Sequence, residues 1–152
     1  MSQFKWILIL PLLIITSGYA ADNGANWDAL TSWIGKAPST KGGNKLSLLD
    51  QPTIKAALKD ILPKSEFASL AKFKVEAPVT KVEEFLIVDK CLPHNCPADM
   101  ATVVIDIKNK RLWVGFFSRE EKRVTTRWYG MSDDYSVLPE SIKKDFLARH
   151  GD

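Results

Sequence analysis

Phe85-Leu-Ile-Val88 is a β-favouring run that leads straight into the hexapeptide Cys91-Leu-Pro-His-Asn-Cys96. Residues 101–107 and 112–117 are two more such runs, and the Lys108-Asn109-Lys110-Arg111 between them has the length and polarity of a hairpin turn. Asn109 is the residue there best suited to a left-handed backbone position. Residues 122–129 add a further strand candidate. These segments predict a run of neighbouring antiparallel strands with the hexapeptide at one hairpin end.

Upstream the period is helical. Trp27, Leu30, Trp33 and Ile34 recur at helical spacing, and Gly35 with Pro38 ends that segment. Residues 36–44 are polar and glycine-bearing, hence a loop. Asp50 is the expected N-cap of a second helix with Pro52 in its first turn. That helix carries Ile54, Leu58, Ile61 and Leu62 on one face and stops at Pro63. Phe67, Leu70 and Phe73 suggest a short third helix after Ser65, and Leu138-Pro139-Glu140-Ser141 opens a last one with Ile142, Phe146 and Leu147 facing one way. The order predicts an α+β domain: an antiparallel sheet with helices packed on one face and a protruding disulfide-closed loop.

The 152 residues set an expectation of one domain, and 45% apolar residues are enough for a core. A net charge of +3 is too slight for a dedicated nucleic-acid face. Residues 1–20 read as a cleaved signal peptide: Lys5 precedes an apolar run over 6–15, and Gly18-Tyr19-Ala20 offers small residues for cleavage. The run is shorter than the roughly 20 residues a membrane span needs. The exported chain is then residues 21–152, a single domain of net charge +2 once Lys5 has left, with no membrane attachment after cleavage.

Export gives the two cysteines their meaning. An oxidising compartment favours joining Cys91 to Cys96. A ring this small constrains the unfolded chain by only about 2 kcal/mol, so its effect is local. Pro93 fixes φ just before His94, and a histidine is presented at the tip of a stiff loop. Other chemistry is sparse. No nucleophile elbow, phosphate loop, dinucleotide fingerprint or paired-histidine zinc helix occurs. A disulfide would consume the nucleophile of a Cys91–His94 thiol enzyme. A metal site on His94 would lean on Asp99, with Asn95 a poor ligand, so no metal, cofactor or catalytic residue is expected. Asp133-Asp134 reads as turn or cap, Trp113, Trp128 and Tyr129 as core rather than a sugar-binding patch, and His150 as a cation suited to a helix C-terminus.

The hexapeptide resembles the signature loop of the inhibitors of vertebrate lysozyme, exported by Gram-negative bacteria, which carry Cys-Lys-Pro-His-Asp-Cys there. Arg127-Trp128-Tyr129-Gly130, then Asp133-Asp134 and a terminal amphipathic helix, is similar to the family's C-terminal part. The resemblance runs over residues 85–147. It implies a periplasmic inhibitor, not an enzyme, whose loop enters the active-site cleft of a C-type lysozyme. Cys91 and Cys96 would be the staple, Pro93 the stiffener, and His94 the residue that hydrogen-bonds the two catalytic carboxyl groups. Leu92 and Asn95 stand where the family has lysine and aspartate. Leu92 removes a cation at the loop's shoulder, Asn95 cannot hold the histidine through a charged pair, and Lys90 adds positive charge facing a basic partner. The alternative is a divergent member that binds a bacterial wall-cleaving enzyme or a peptidoglycan fragment. Homodimerisation through the sheet edge or the 27–33 helix is left open.

Overall fold

The computed structural model describes residues 26–121, 123–130 and 138–150. The expected signal peptide, Lys122 and the Asp133-Asp134 pair lie outside the described residues.

Six strands form one antiparallel sheet: β1 (Val75–Glu76), β2 (Thr80–Val82), β3 (Phe85–Cys91), β4 (Asp99–Asp106), β5 (Arg111–Glu120) and β6 (Arg123–Tyr129). The order is β1-β3-β4-β5-β6. β2 shares the β3 edge with β1, pairing Thr80 to Val82 with residues 85–87 while Val75 faces Cys91. The helices are α1 (Pro52–Ile61), α2 (Lys64–Leu70) and α3 (Glu140–His150), preceded by 3-10 helices Trp27–Trp33 and Leu48–Asp50.

The sheet is covered on both faces, which corrects the expectation of helices on one. Leu86, Val88, Val103, Ile105, Val114 and Phe116 pack against the 3-10 segments, α1 and α2. Phe85, Ile87, Val104, Trp113, Phe117 and Trp128 pack with Leu138, Ile142 and Phe146 of the α3 region. Successive strand residues point to opposite faces, so a strand that is apolar at both parities must be buried on both sides. Phe85-Leu-Ile-Val88 is such a strand. Leu147, expected with Ile142 and Phe146, is instead 55% exposed.

Other local expectations shift for identifiable reasons. The first helix is 3-10 over its whole length, with the Asn26 side chain capping it at Ala29 N–H. Its buried Trp27, Leu30 and Trp33 lie three apart, the period of a 3-10 helix, whereas Ile34 is 42% exposed. Gln51, not Asp50, is the N-cap of α1. The Asp50 carboxylate accepts from Ser47 Oγ and pairs with Lys55 at 3.1 Å. Pro52 does occupy the first turn. α2 begins at Lys64, and Phe73 lies beyond its end.

In the β4–β5 turn Lys110, not Asn109, has positive φ (54°). Asn109 instead donates both its backbone N–H and its side-chain amide to the buried Asp106 carboxylate, which Arg111 Nε also reaches at 3.0 Å. Burial pushes the Asp106 carboxyl up, but the Asn109 donors and Arg111 outweigh it and hold it below its ordinary value. Trp113 and Trp128 are core, as expected, at 2% and 3% exposure. The Trp128 ring lies over Gly115, where a Cβ would come within 2.7 Å of it.

Candidate functional site

β3 and β4 flank the hexapeptide loop. Their last register pair is Cys91 with Met100, and the intervening residues leave the sheet. Leu92 N–H donates to Asp99 C=O (3.1 Å), closing the hairpin at its base. Asn95 N–H then donates back to Leu92 C=O (3.1 Å), so 92–95 is a β-turn with Pro93 second and His94 third. His94 has φ +66°. Proline followed by a positive-φ residue is the signature of a type II turn, where glycine or asparagine is usual at the third position. A histidine there carries about 1 kcal/mol of backbone strain, a local rule broken at the loop's tip.

Three further ties fix the ring. Cys91 and Cys96 are disulfide-bonded across a Cα–Cα distance of 5.4 Å, inside the range such bonds span. Asp99 N–H donates to Asn95 C=O (3.0 Å), and the Asn95 side-chain amide donates to the Asp99 carboxylate. Beyond the cis Cys96–Pro97 peptide, Ala98 C=O accepts from Arg119 N–H of β5 at 2.8 Å. The loop is thereby tied to both neighbouring strands.

The six loop residues divide by environment. Cys91 is buried at the strand end, and Leu92 is half-buried and packs against the core on the α1/α2 side. Residues 93–97 are exposed. Among the described residues the His94 imidazole has no hydrogen-bond partner, leaving both ring nitrogens available. No group of three or more His, Cys, Asp or Glu among the described residues is placed to hold a metal ion.

Several effects here escape a reading of the sequence. Leu92 is an anchor and not a solvent-facing shoulder. Asn95 restrains the loop base through Asp99 and has no bond to His94. Lys90 is not a free charge beside the loop: its Nζ lies 3.0 Å from Glu76 Oε1, with both side chains near one-tenth exposed. Burial pushes the Glu76 carboxyl up, but donors from Ser39 and Lys90 outweigh it and hold it below its ordinary value. The hydrophobic leucine and the asparagine–aspartate spacing were the available signals.

On the α3 side, His150 corrects its sequence reading. Its ring lies 4.9 Å from Phe117 and 4.6 Å from Phe146, and Nε2 is buried without a partner. Burial, reinforced by the Arg149 charge, lowers its pKa below the ordinary 6.5. It is a packed neutral imidazole, not a cation at the helix end. Helix-end cations are instead Arg149, paired with Asp145 and Asp89, and Arg119, whose Nη2 donates to His150 C=O at 3.1 Å.

Among known proteins, the family model described as inhibitor of vertebrate lysozyme (Ivy) matches residues 53–150, from the start of α1 to the end of α3. No curated protein and no solved structure matches the chain.

Proposed function

The chain belongs to the inhibitor of vertebrate lysozyme family, and from that membership we propose that it is an exported, periplasmic inhibitor of C-type lysozyme that inserts the 91–96 loop into the enzyme's active-site cleft. The family is one of lysozyme inhibitors, not of enzymes. The observation that carries the finer reading is the loop itself. A histidine with no internal partner stands at the third position of a proline turn, inside a disulfide ring, at the end of a two-sided buried sheet.

The chemistry of the target explains what such a histidine does. A lysozyme keeps one catalytic carboxyl protonated near neutral pH and the other ionised. A neutral imidazole has one donor and one acceptor nitrogen. It accepts from the acid and donates to the carboxylate at once, occupying both groups and excluding substrate. Cys91 and Cys96 hold the ring, Pro93 sets the turn, Leu92 anchors it to the core and Asn95 ties its base. With Leu92 packed inward and the Asn95 amide donating to Asp99, the two departures from the family loop serve to hold it, and Lys90 beside it is paired with Glu76.

The test is turbidimetric lysis of bacterial cells by a C-type lysozyme with rising amounts of the oxidised chain lacking residues 1–20. Stoichiometric inhibition that is lost in His94→Ala is expected. No inhibition at micromolar protein overturns the reading and moves the loop to another partner, a wall-cleaving bacterial enzyme or a peptidoglycan fragment.

A further inference from the structure

A groove of about 250 Å³ opens beside the disulfide loop, lined by Pro97 and Ala98 of the loop, Phe117 and Arg119 of β5, and Arg149 and His150 of α3. Its two cations differ. Arg149 is tied to Asp89 and Asp145. Arg119 is exposed and has no ion-pair partner among the described residues. Its side chain is nonetheless held: Nη2 donates to His150 C=O, and the guanidinium lies 5.6 Å from the Phe117 ring centroid. Its backbone N–H donates to Ala98 C=O, so it moves with the loop.

A helix cap would use one donor of the five that a guanidinium has. The others face a groove whose wall is the loop and whose floor is aromatic. We propose that Arg119 is a second contact of the inhibitory surface, and that the groove takes a carboxylate side chain on the rim of the partner's cleft while the loop fills the cleft itself. The inference rests on the proposed function and names a partner chemistry for it. The fit is physical. A pre-placed arginine pairs with a carboxylate in a fork geometry without first losing side-chain freedom, and the low-polarity floor strengthens the pair. The room equals roughly eight water volumes, enough for one carboxylate side chain.

The experiment measures inhibition of a C-type lysozyme, and the association rate, at about 50 mM and about 500 mM salt. The parent, Arg119→Gln, Arg119→Lys and His94→Ala are compared, each with a melting curve. Arg119→Gln is expected to raise the inhibition constant about fivefold to tenfold at low salt and by less than half of that factor at high salt. Arg119→Lys should recover only part of the loss, because it keeps the charge but not the fork. Inhibition by Arg119→Gln equal to the parent's overturns the inference. So does a loss in Arg119→Gln that is the same at both salt concentrations and comes with a lowered melting temperature, which would assign Arg119 to capping α3 alone. The two proposals separate cleanly: His94→Ala inert with Arg119→Gln unaltered removes the groove and spares the loop, whereas a parent that does not inhibit removes both.

Discussion

Asn95→Asp restores the residue that the family loop carries at this position, and taken from the sequence alone it should improve inhibition. The structure predicts the opposite. In this chain the Asn95 amide donates to the Asp99 carboxylate, and that bond closes the base of the ring together with two backbone bonds. The substitution removes the donor and sets a second carboxylate in its place. A hydrogen bond to a charged group is worth about 1.5–3 kcal/mol when shielded and near the bottom of that range at an exposed site. Two like charges at about 4 Å in water repel by about 1 kcal/mol. Together they destabilise the binding shape of the loop by about 2.5 kcal/mol, which is about a seventyfold rise in the inhibition constant. The assay is lysozyme inhibition by the parent, Asn95→Asp, Asp99→Asn and the double variant. Asn95→Asp with Asp99→Asn reverses the donor and acceptor, so the double variant should recover most of the lost affinity. Added salt should also narrow the gap between Asn95→Asp and the parent, because the repulsion is exposed. Inhibition by Asn95→Asp as tight as the parent's, or a double variant no better than the single, would refute the reasoning.

Four further outcomes are expected. His94→Ala should raise the inhibition constant at least about tenfold, or about 1.4 kcal/mol, with an unchanged melting temperature, since the imidazole is exposed and has no hydrogen-bond partner among the described residues. His94→Gly should be equally inactive but more stable than His94→Ala by about 1 kcal/mol, because φ is +66°; equal melting temperatures would show that the turn carries no strain. Dithiothreitol should weaken inhibition while lowering global stability by only about 2 kcal/mol, the value for so short a ring; unimpaired inhibition by fully reduced protein would contradict the staple's role. Stability should decline as pH falls below 6.5, because the folded-state pKa of His150 is lowered and the unfolded chain binds its proton first. The decline from Glu76 and Asp106 comes at lower pH, as their depressed folded-state values are approached. A denaturation series across pH in His150→Gln should lack the upper step; its persistence there would assign that step to another group.

The strands and most of the core were legible because apolar runs and turn residues act over a few positions. So was the stapled loop, since two cysteines five apart, with no others in the sequence, leave little choice. The two-sided sheet was legible in principle: residues 85–88 and 112–117 are apolar at both parities, which a sheet solvated on one face does not permit. What was not legible depends on specific side-chain partners, some a few positions away and some distant in sequence. Lys110 takes the positive φ because Asn109 is more useful donating twice to a buried aspartate. Asp50 is drawn from its capping role by Ser47 and Lys55. Lys90 loses its significance as a charge only because β1 brings Glu76 alongside. His150 stays neutral because Phe117, 33 positions earlier, lies against it. Each is a side chain whose role is set by a neighbour that local pattern does not name.

On the proposed function, the same distinction explains how a small ring would suffice as an inhibitory device. Ordering a residue's backbone costs about 1–2 kcal/mol, so fixing the four residues between the cysteines on binding would cost about 4–8 kcal/mol, or three to six orders of magnitude in affinity. Here that ordering is completed when the domain folds. Leu92 is packed on the core, three backbone bonds and the disulfide close the ring, and Arg119 of β5 holds its far side. Burial of large apolar groups such as Phe117 and Trp128, each worth about 1.5–3 kcal/mol, supplies the free energy that keeps the strands beneath it in register. In the proposed complex the binding energy of His94 would then be available for the partner and not consumed in shaping the loop. It follows that the linear reduced hexapeptide, identical in sequence to residues 91–96, should be a poor inhibitor even at concentrations far above those at which the folded chain acts.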